Sequence, residues 1–265
     1  MNSIKLSKTY YSTEKVLISF YFKKFFKSFR VKLCFIFILI PLAYSFIDIQ
    51  NYINSSVEIN QLILDNSIFL RGFLSFSLIY YNITTIIISC DIISEEFSNR
   101  TAMVLYSTTS RKKILISKII FIILLLMFFE LTSFISFGIL STFTLGLTIS
   151  PIIFILGFFL ILINMLFIFS LTFFFSALTR NTVVALLIPF FYNYSEQLFI
   201  LSDLKFLSYS QQLNNLISFI QNIITNGNSS IKYYELTVSF IIFFTLPIIF
   251  IVITFYTFKK LDIRI

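Results

Sequence analysis

Apolar residues occupy this chain in long unbroken blocks, not in the alternating runs of a half-buried strand or the one-sided stripes of a soluble helix. A helix needs roughly 20 mostly apolar residues to cross the hydrocarbon of a bilayer. Six blocks meet or approach that length: residues 31–49, 69–90, 116–140, 152–177, 182–201 and 236–258. In the first, only residues 33–47 are free of charge, but the long stem of Lys32 can carry its ammonium back to the headgroups. Between residues 131 and 179 no charge appears, an interval too long for one crossing; residues 141–151, rich in Thr, Ser and Gly, predict the turn that divides it.

Two segments outside these blocks have a helical pattern of a different kind. In residues 14–32, Leu17, Phe20, Tyr21, Phe25 and Phe29 recur at helical spacing, while Lys15, Lys23, Lys27 and Arg30 fall mostly elsewhere. That pattern predicts a helix lying in the inner headgroup layer before the chain turns into the first span, although a plain basic anchor would look the same. Within the long loop 202–235, residues 206–224 are amphipathic and rich in Gln and Asn, which predicts a re-entrant or surface helical hairpin between spans five and six.

Composition narrows the class. Of 265 residues, 58% are hydrophobic and 12% charged, about half the charge of a soluble domain. The expected fold is an all-α polytopic membrane protein with six transmembrane helices, an N-terminal interfacial amphipathic helix and a cytoplasmic coupling helix between spans two and three. Residues 1–30 form the arm and 31–265 the membrane domain. No small-residue cleavage site follows the first apolar run, so a removable signal peptide is not expected. Cys34 and Cys90 each adjoin the basic end of a span, where a reducing cytosol would keep them as thiols.

Charge then sets the orientation. Seventeen of the 20 Lys and Arg residues fall on the face that holds both termini, and Arg71, Lys205 and Lys232 are left for the other. By the positive-inside rule that face is cytoplasmic. The loop after span one carries Asp48, Glu58 and Asp65 and no base, as an external loop would.

The chemistry the chain lacks is equally informative. With no histidine there is no HExxH zinc motif and no histidine-based triad. The five glycines form neither a Walker A loop nor a GxxxG pair. No enzymatic activity, bound metal or nucleic-acid partner is expected of this chain.

One cytoplasmic stretch, residues 91–118, carries mixed charge: DIISEEFSNRTAMVLYSTTSRKKILISK. Acids come first (Asp91, Glu95, Glu96), then Arg100, a short apolar turn over residues 102–105, and a basic end at Arg111, Lys112, Lys113 and Lys118. Glu96, Thr101, Leu105, Ser110-Arg111, Ile114 and Lys118 in this order resemble the stretch between the second and third spans of permease subunits of ABC transporters in the type-two, exporter-like class. Arg100 stands where that family usually has glycine, and Thr108-Thr109 where it often has proline. The resemblance implies a half-transporter of a prokaryotic plasma membrane. Its partners would be a second permease subunit, identical or related, and separate ATP-binding cassette ATPase subunits that hold the ATP and Mg. Glu95, Glu96, Arg100, Arg111, Lys112 and Lys113 are then the expected contacts to the ATPase subunit, and membrane lipid surrounds the rest. Without the resemblance the same charges read as solvated loop residues.

Glu130 lies twelve positions after Lys118, about 18 Å into the bilayer and near its midplane. A lone acid there costs on the order of 3 kcal/mol against lipid, so it should face the interior. It could line a substrate path or dimer seam together with Asn82 and Asn164. Alternatively it is a protonated carboxyl bonded to Asn82, Asn164 or Ser133 with a purely structural role. Asn193 and Glu196 would sit at the outer interface. Two other functions stay open at this point: a proton-coupled secondary transporter using Glu130, for which no internal repeat speaks, and a membrane scaffold that recruits a partner through residues 91–118.

Overall fold

The computed structural model describes residues 3–55, 65–66, 69–99, 101, 105, 109–201, 208–224 and 233–260. Among these the chain is helical throughout, with no strand. The helices are α1 (Ser3–Phe26), α2 (Phe29–Ser55), α3 (Ser75–Ser89), α4 (Ser94–Ser98), α5 (Arg111–Leu145), α6 (Pro151–Thr179), α7 (Thr182–Leu201), α8 (Tyr209–Ile224) and α9 (Tyr233–Lys260). A π-helical turn, Phe69–Leu74, leads into α3. Among the described residues, four helical runs are long and apolar enough to cross a membrane: Gly72–Ser98, Arg111–Phe143, Pro151–Thr179 and Tyr234–Lys259.

The breaks follow from local chemistry. The long uncharged interval does divide, but later than its Ser and Thr content suggests. α5 runs to Leu145 and stops where Gly146 takes φ 63°, a left-handed conformation that costs glycine nothing. The Leu147 amide then reaches back 3.2 Å to the Ser141 carbonyl. Pro151, which needs no amide partner, opens α6. α6 ends at Arg180, also left-handed at φ 53°, and the Asn181 side chain accepts the Val183 amide at 2.9 Å to start α7.

The amphipathic arm departs from expectation. The sequence predicts one helix over residues 14–32, yet α1 stops at Phe26. The Ser28 hydroxyl, donating to the Phe25 carbonyl at 2.7 Å, ends it there, and Phe29 to Lys32 already belong to α2.

α6 is the axis of the bundle, packing against α9, α7, α3, α5 and α8. Near one end, Phe69 and Phe73 of the π-turn interlock with Phe134 and Phe137 of α5, Phe73 and Phe137 stacking at 4.1 Å. The turn can press onto α6 because Gly157 faces it: a Cβ there would come within 3.0 Å of both Leu74 and Phe69. Midway along α6, Phe167 stacks on Tyr209 at 3.8 Å, and Tyr209 stacks in turn on Phe243 of α9 at 4.9 Å.

That stack places α8. Its first residue, Tyr209, is level with the middle of α6, whereas Leu216 and Ile220 lie beside Leu236 at the start of α9. The helix therefore begins level with the middle of the bundle and runs toward the end where α9 starts. Residues 202–207 and 225–232 of the loop 202–235 lie outside the described residues.

Polar contacts separate the two ends of the molecule. At one, Asp65 accepts the Thr148 amide (2.7 Å) and hydroxyl (2.9 Å), and Asn66 accepts the Ser150 amide at 2.9 Å. At the other, Ser94 bonds to Ser176 and Thr182, and the Arg180 guanidinium sits 4.9 Å from the Phe97 ring.

Candidate functional site

The second of these ends holds the mixed-charge stretch. α3 unwinds after Ser89, residues 90–93 turn, and the short α4 presents Glu95 and Glu96 in its first turn. The three acids do not project together into solvent. Glu96 turns inward and pairs with Lys118 of α5 at 2.6 Å, and Lys118 also donates to the Ile92 carbonyl at 2.5 Å. Glu95 pairs with Lys24 of α1 at 2.9 Å, and Asp91 with Arg30 of α2. The Tyr21 hydroxyl of α1 donates to Glu96 at 3.4 Å, and burial together with that carboxylate holds the phenol well above its usual pKa. The result is a clasp joining α1, α2, α4 and α5.

The clasp corrects the expectation for Glu96. The residue is 8% exposed, so it holds the elbow together and offers no surface to a soluble partner. Glu95 remains partly open, Lys112 is exposed, and Arg111 and Lys113 are half-buried at the start of α5. Arg100 and residues 102–104 of the expected apolar turn lie outside the described residues. Beneath the α1–α2 elbow a cavity of about 460 Å³ is walled by the charges of the clasp and by Phe25, Phe29, Leu33 and Phe121. Sequence reasoning missed Lys24 and Arg30, whose ion pairs span some 60 to 70 residues of chain.

A second group of polar side chains lies deep in the bundle. Asn164 of α6 donates to Asn82 of α3 at 2.6 Å, and Asn82 donates to Asn193 of α7 at 2.7 Å, tying three helices by a chain of amides. Tyr81 donates to Ser133 at 2.5 Å, linking α3 to α5. Glu130 belongs to neither group. It is fully buried; the backbone of Leu162 on α6 is its nearest polar neighbour, but neither carboxylate oxygen reaches it or any other group with good hydrogen-bond geometry. The expected bonds to Asn82, Asn164 or Ser133 are not made: Asn82 and Asn164 bond to each other and Asn82 to Asn193, and Ser133 is taken by Tyr81. Full burial also removes Glu130 from any outer seam of a single copy.

Glu196 differs from its expected interfacial place as well. It is buried, and one of its carboxylate oxygens accepts the amides of Tyr209 (2.8 Å) and Ser210 (3.1 Å). It thereby caps the start of α8, supplying an acceptor for two first-turn amides that the helix itself leaves open. On the far side of α8, Ser239 of α9 donates to Gln212 at 2.7 Å and accepts from Asn215 at 3.0 Å. Among the described residues no group of three or more Cys, Asp or Glu side chains is arranged to hold a metal ion. No family model matches this sequence, and no curated protein or solved structure matches it.

Proposed function

We propose that this chain is the membrane-spanning permease subunit of an ABC transporter. It would work as a dimer with an identical or related permease and be driven by separate ATP-binding subunits docked on the clasped end. The clasp carries the reading. A soluble motor can move a membrane bundle only through a stiff handle, and the elbow at residues 91–99 is locked by ion pairs to α1, α2 and α5 at once. A push on α4 is thus shared by four helices. α2, 27 residues long, and α7, 20 residues long, complete the set of six spans, with both termini in the cytoplasm of a prokaryotic cell.

Glu95, Arg111, Lys112 and Lys113, each at least partly exposed, are the contacts to the ATPase subunit on this reading, with Glu96 acting behind them as a positioning residue. On this reading the cargo exported past the deep amides and α8 is hydrophobic or amphipathic, such as a lipid, drug or peptide. Glu130 supports a second reading. A fully buried carboxyl with no well-formed hydrogen bond is what a proton-coupled carrier would place on its proton path.

Gentle detergent extraction from the native host separates the two. A nucleotide-binding soluble subunit in equimolar amount supports the ABC reading, and proton-driven uptake by the isolated chain in liposomes supports the other. Glu95→Lys is the informative variant, since the exposed Lys24 pair is worth at most about 1 kcal/mol and its loss leaves the fold intact. It should release the soluble subunit, and Lys24→Glu in the same chain should not bring it back.

A further inference from the structure

α7 touches the elbow at its start and α8 near its end. At the clasped end the Ser94 and Thr182 hydroxyls lie 2.8 Å apart, and the Ser94 amide donates to the Ser176 hydroxyl at 3.2 Å. Ser176 in turn donates to the Cys90 carbonyl at 3.0 Å. The turn from α6 into α7 is thereby bonded to the elbow from both of its sides.

Arg180 sets this turn apart. Among the described residues it is the one non-glycine residue with a left-handed backbone, φ 53°. That conformation is strained for any residue with a Cβ and persists only where the surroundings hold it. Part of the hold comes from the elbow: the Arg180 guanidinium lies 4.9 Å from the Phe97 ring of α4, while the Arg180 amide donates to the Ser176 carbonyl at 3.2 Å.

The far end of α7 carries the contacts that place α8. Glu196 accepts the Tyr209 and Ser210 amides, and the Tyr192 ring lies 5.7 Å from Phe167, on which Tyr209 stacks. Between the two ends sits Pro189, whose ring leaves the Ala185 carbonyl without its helical partner and lets the helix bend there. The face with Val183, Leu187, Phe190, Phe191 and Tyr194 is exposed, which leaves α7 room to move outward.

We infer that α7 is a linkage between the elbow and α8, with the Phe97–Arg180 contact as its catch. A shift of α4 away from the α6–α7 turn frees Arg180, tilts the start of α7 and moves Tyr192 and Glu196 against the first turn of α8. The strain at Arg180 works in the direction of release. The linkage stands whether or not an ATPase docks at the elbow, and its failure would leave that reading untouched.

Site-resolved thiol labelling of the full chain in mild detergent, read by mass spectrometry, tests the coupling. With the buried Leu213→Cys of α8 as reporter, Phe97→Ala should speed labelling about threefold, the factor that a half-exposed cation–π contact represents. Thr182→Val, which removes the hydroxyl bond to Ser94 with little change in volume, should act in the same direction. In an Arg180→Gly background, where the left-handed turn needs no catch, Phe97→Ala should change the rate less than about 1.5-fold. Ile122→Cys, equally buried on α5, should stay slow throughout. Coupling is reciprocal, so Glu196→Ala should also speed labelling of Ile93→Cys, a buried position in the elbow. Unchanged labelling at Leu213→Cys in both elbow variants would overturn the linkage, as would an equal rise at Ile122→Cys, the mark of general loosening. An equal effect of Phe97→Ala in the parent and Arg180→Gly chains would overturn the assignment of Arg180 as the catch.

Discussion

Lys118 is 1% exposed and Glu96 8%, so each is the other's means of being buried with a charge. Removing one partner leaves an uncompensated ion, which costs about 3 to 5 kcal/mol, whereas replacing both with apolar residues can be nearly neutral. Lys118→Met and Glu96→Leu should each lower the melting temperature in detergent sharply, and the two together should recover most of the loss. Glu130 gives the opposite expectation. Its two unsatisfied oxygens in a fully buried place mean that Glu130→Leu should raise the melting temperature, by removing a cost of about 1 to 3 kcal/mol. If the variant also abolishes transport, the carboxyl is held there at the expense of stability for a functional reason. The sequence made both residues conspicuous, because charges are rare in this chain. It could not give the pairings of the clasp, since Lys118 meets a residue 22 positions away through a turn, and Asp91 one 61 positions away.

At the scale of elements, long apolar blocks were the readable part: a helix covers each of the six blocks. The breaks between them were harder, because they depend on single hydroxyls and left-handed residues and not on composition. Ser28 ends α1 earlier than its amphipathic pattern suggests, and Arg180 turns left-handed where glycine would be the usual choice. The position of α8 beside the middle of α6 was not readable, since it is fixed by the Phe167–Tyr209–Phe243 stack and by Glu196, which are distant in sequence. Glu196→Ala removes the acceptor for two amides and should loosen α8 by about 1 to 2 kcal/mol. A cysteine placed at Leu213, which is fully buried, would report it: slow thiol labelling in the parent chain and fast labelling once Glu196 is gone. Unchanged labelling would mean that the aromatic stack alone holds the helix.

For the molecule as a whole, the ion pairs, hydroxyl bonds and aromatic stacks divide the bundle into an end held by Asp65 and Asn66 and an end held by the clasp. Charge counting along the sequence separated the same two groups of loops, because lipid forces polar connections to the ends of apolar helices and leaves few other places for them. Which end meets the cytosol, and what docks there, is the claim on which the transport reading turns. The most direct measurement is a photoreactive amino acid at Ser98 or Asn99, both exposed on the outer turn of the elbow, activated in living native cells. An adduct with a soluble ATP-binding protein is the expected result; no cytosolic adduct, or labelling of the same position by a membrane-impermeant reagent added outside the cell, would contradict it.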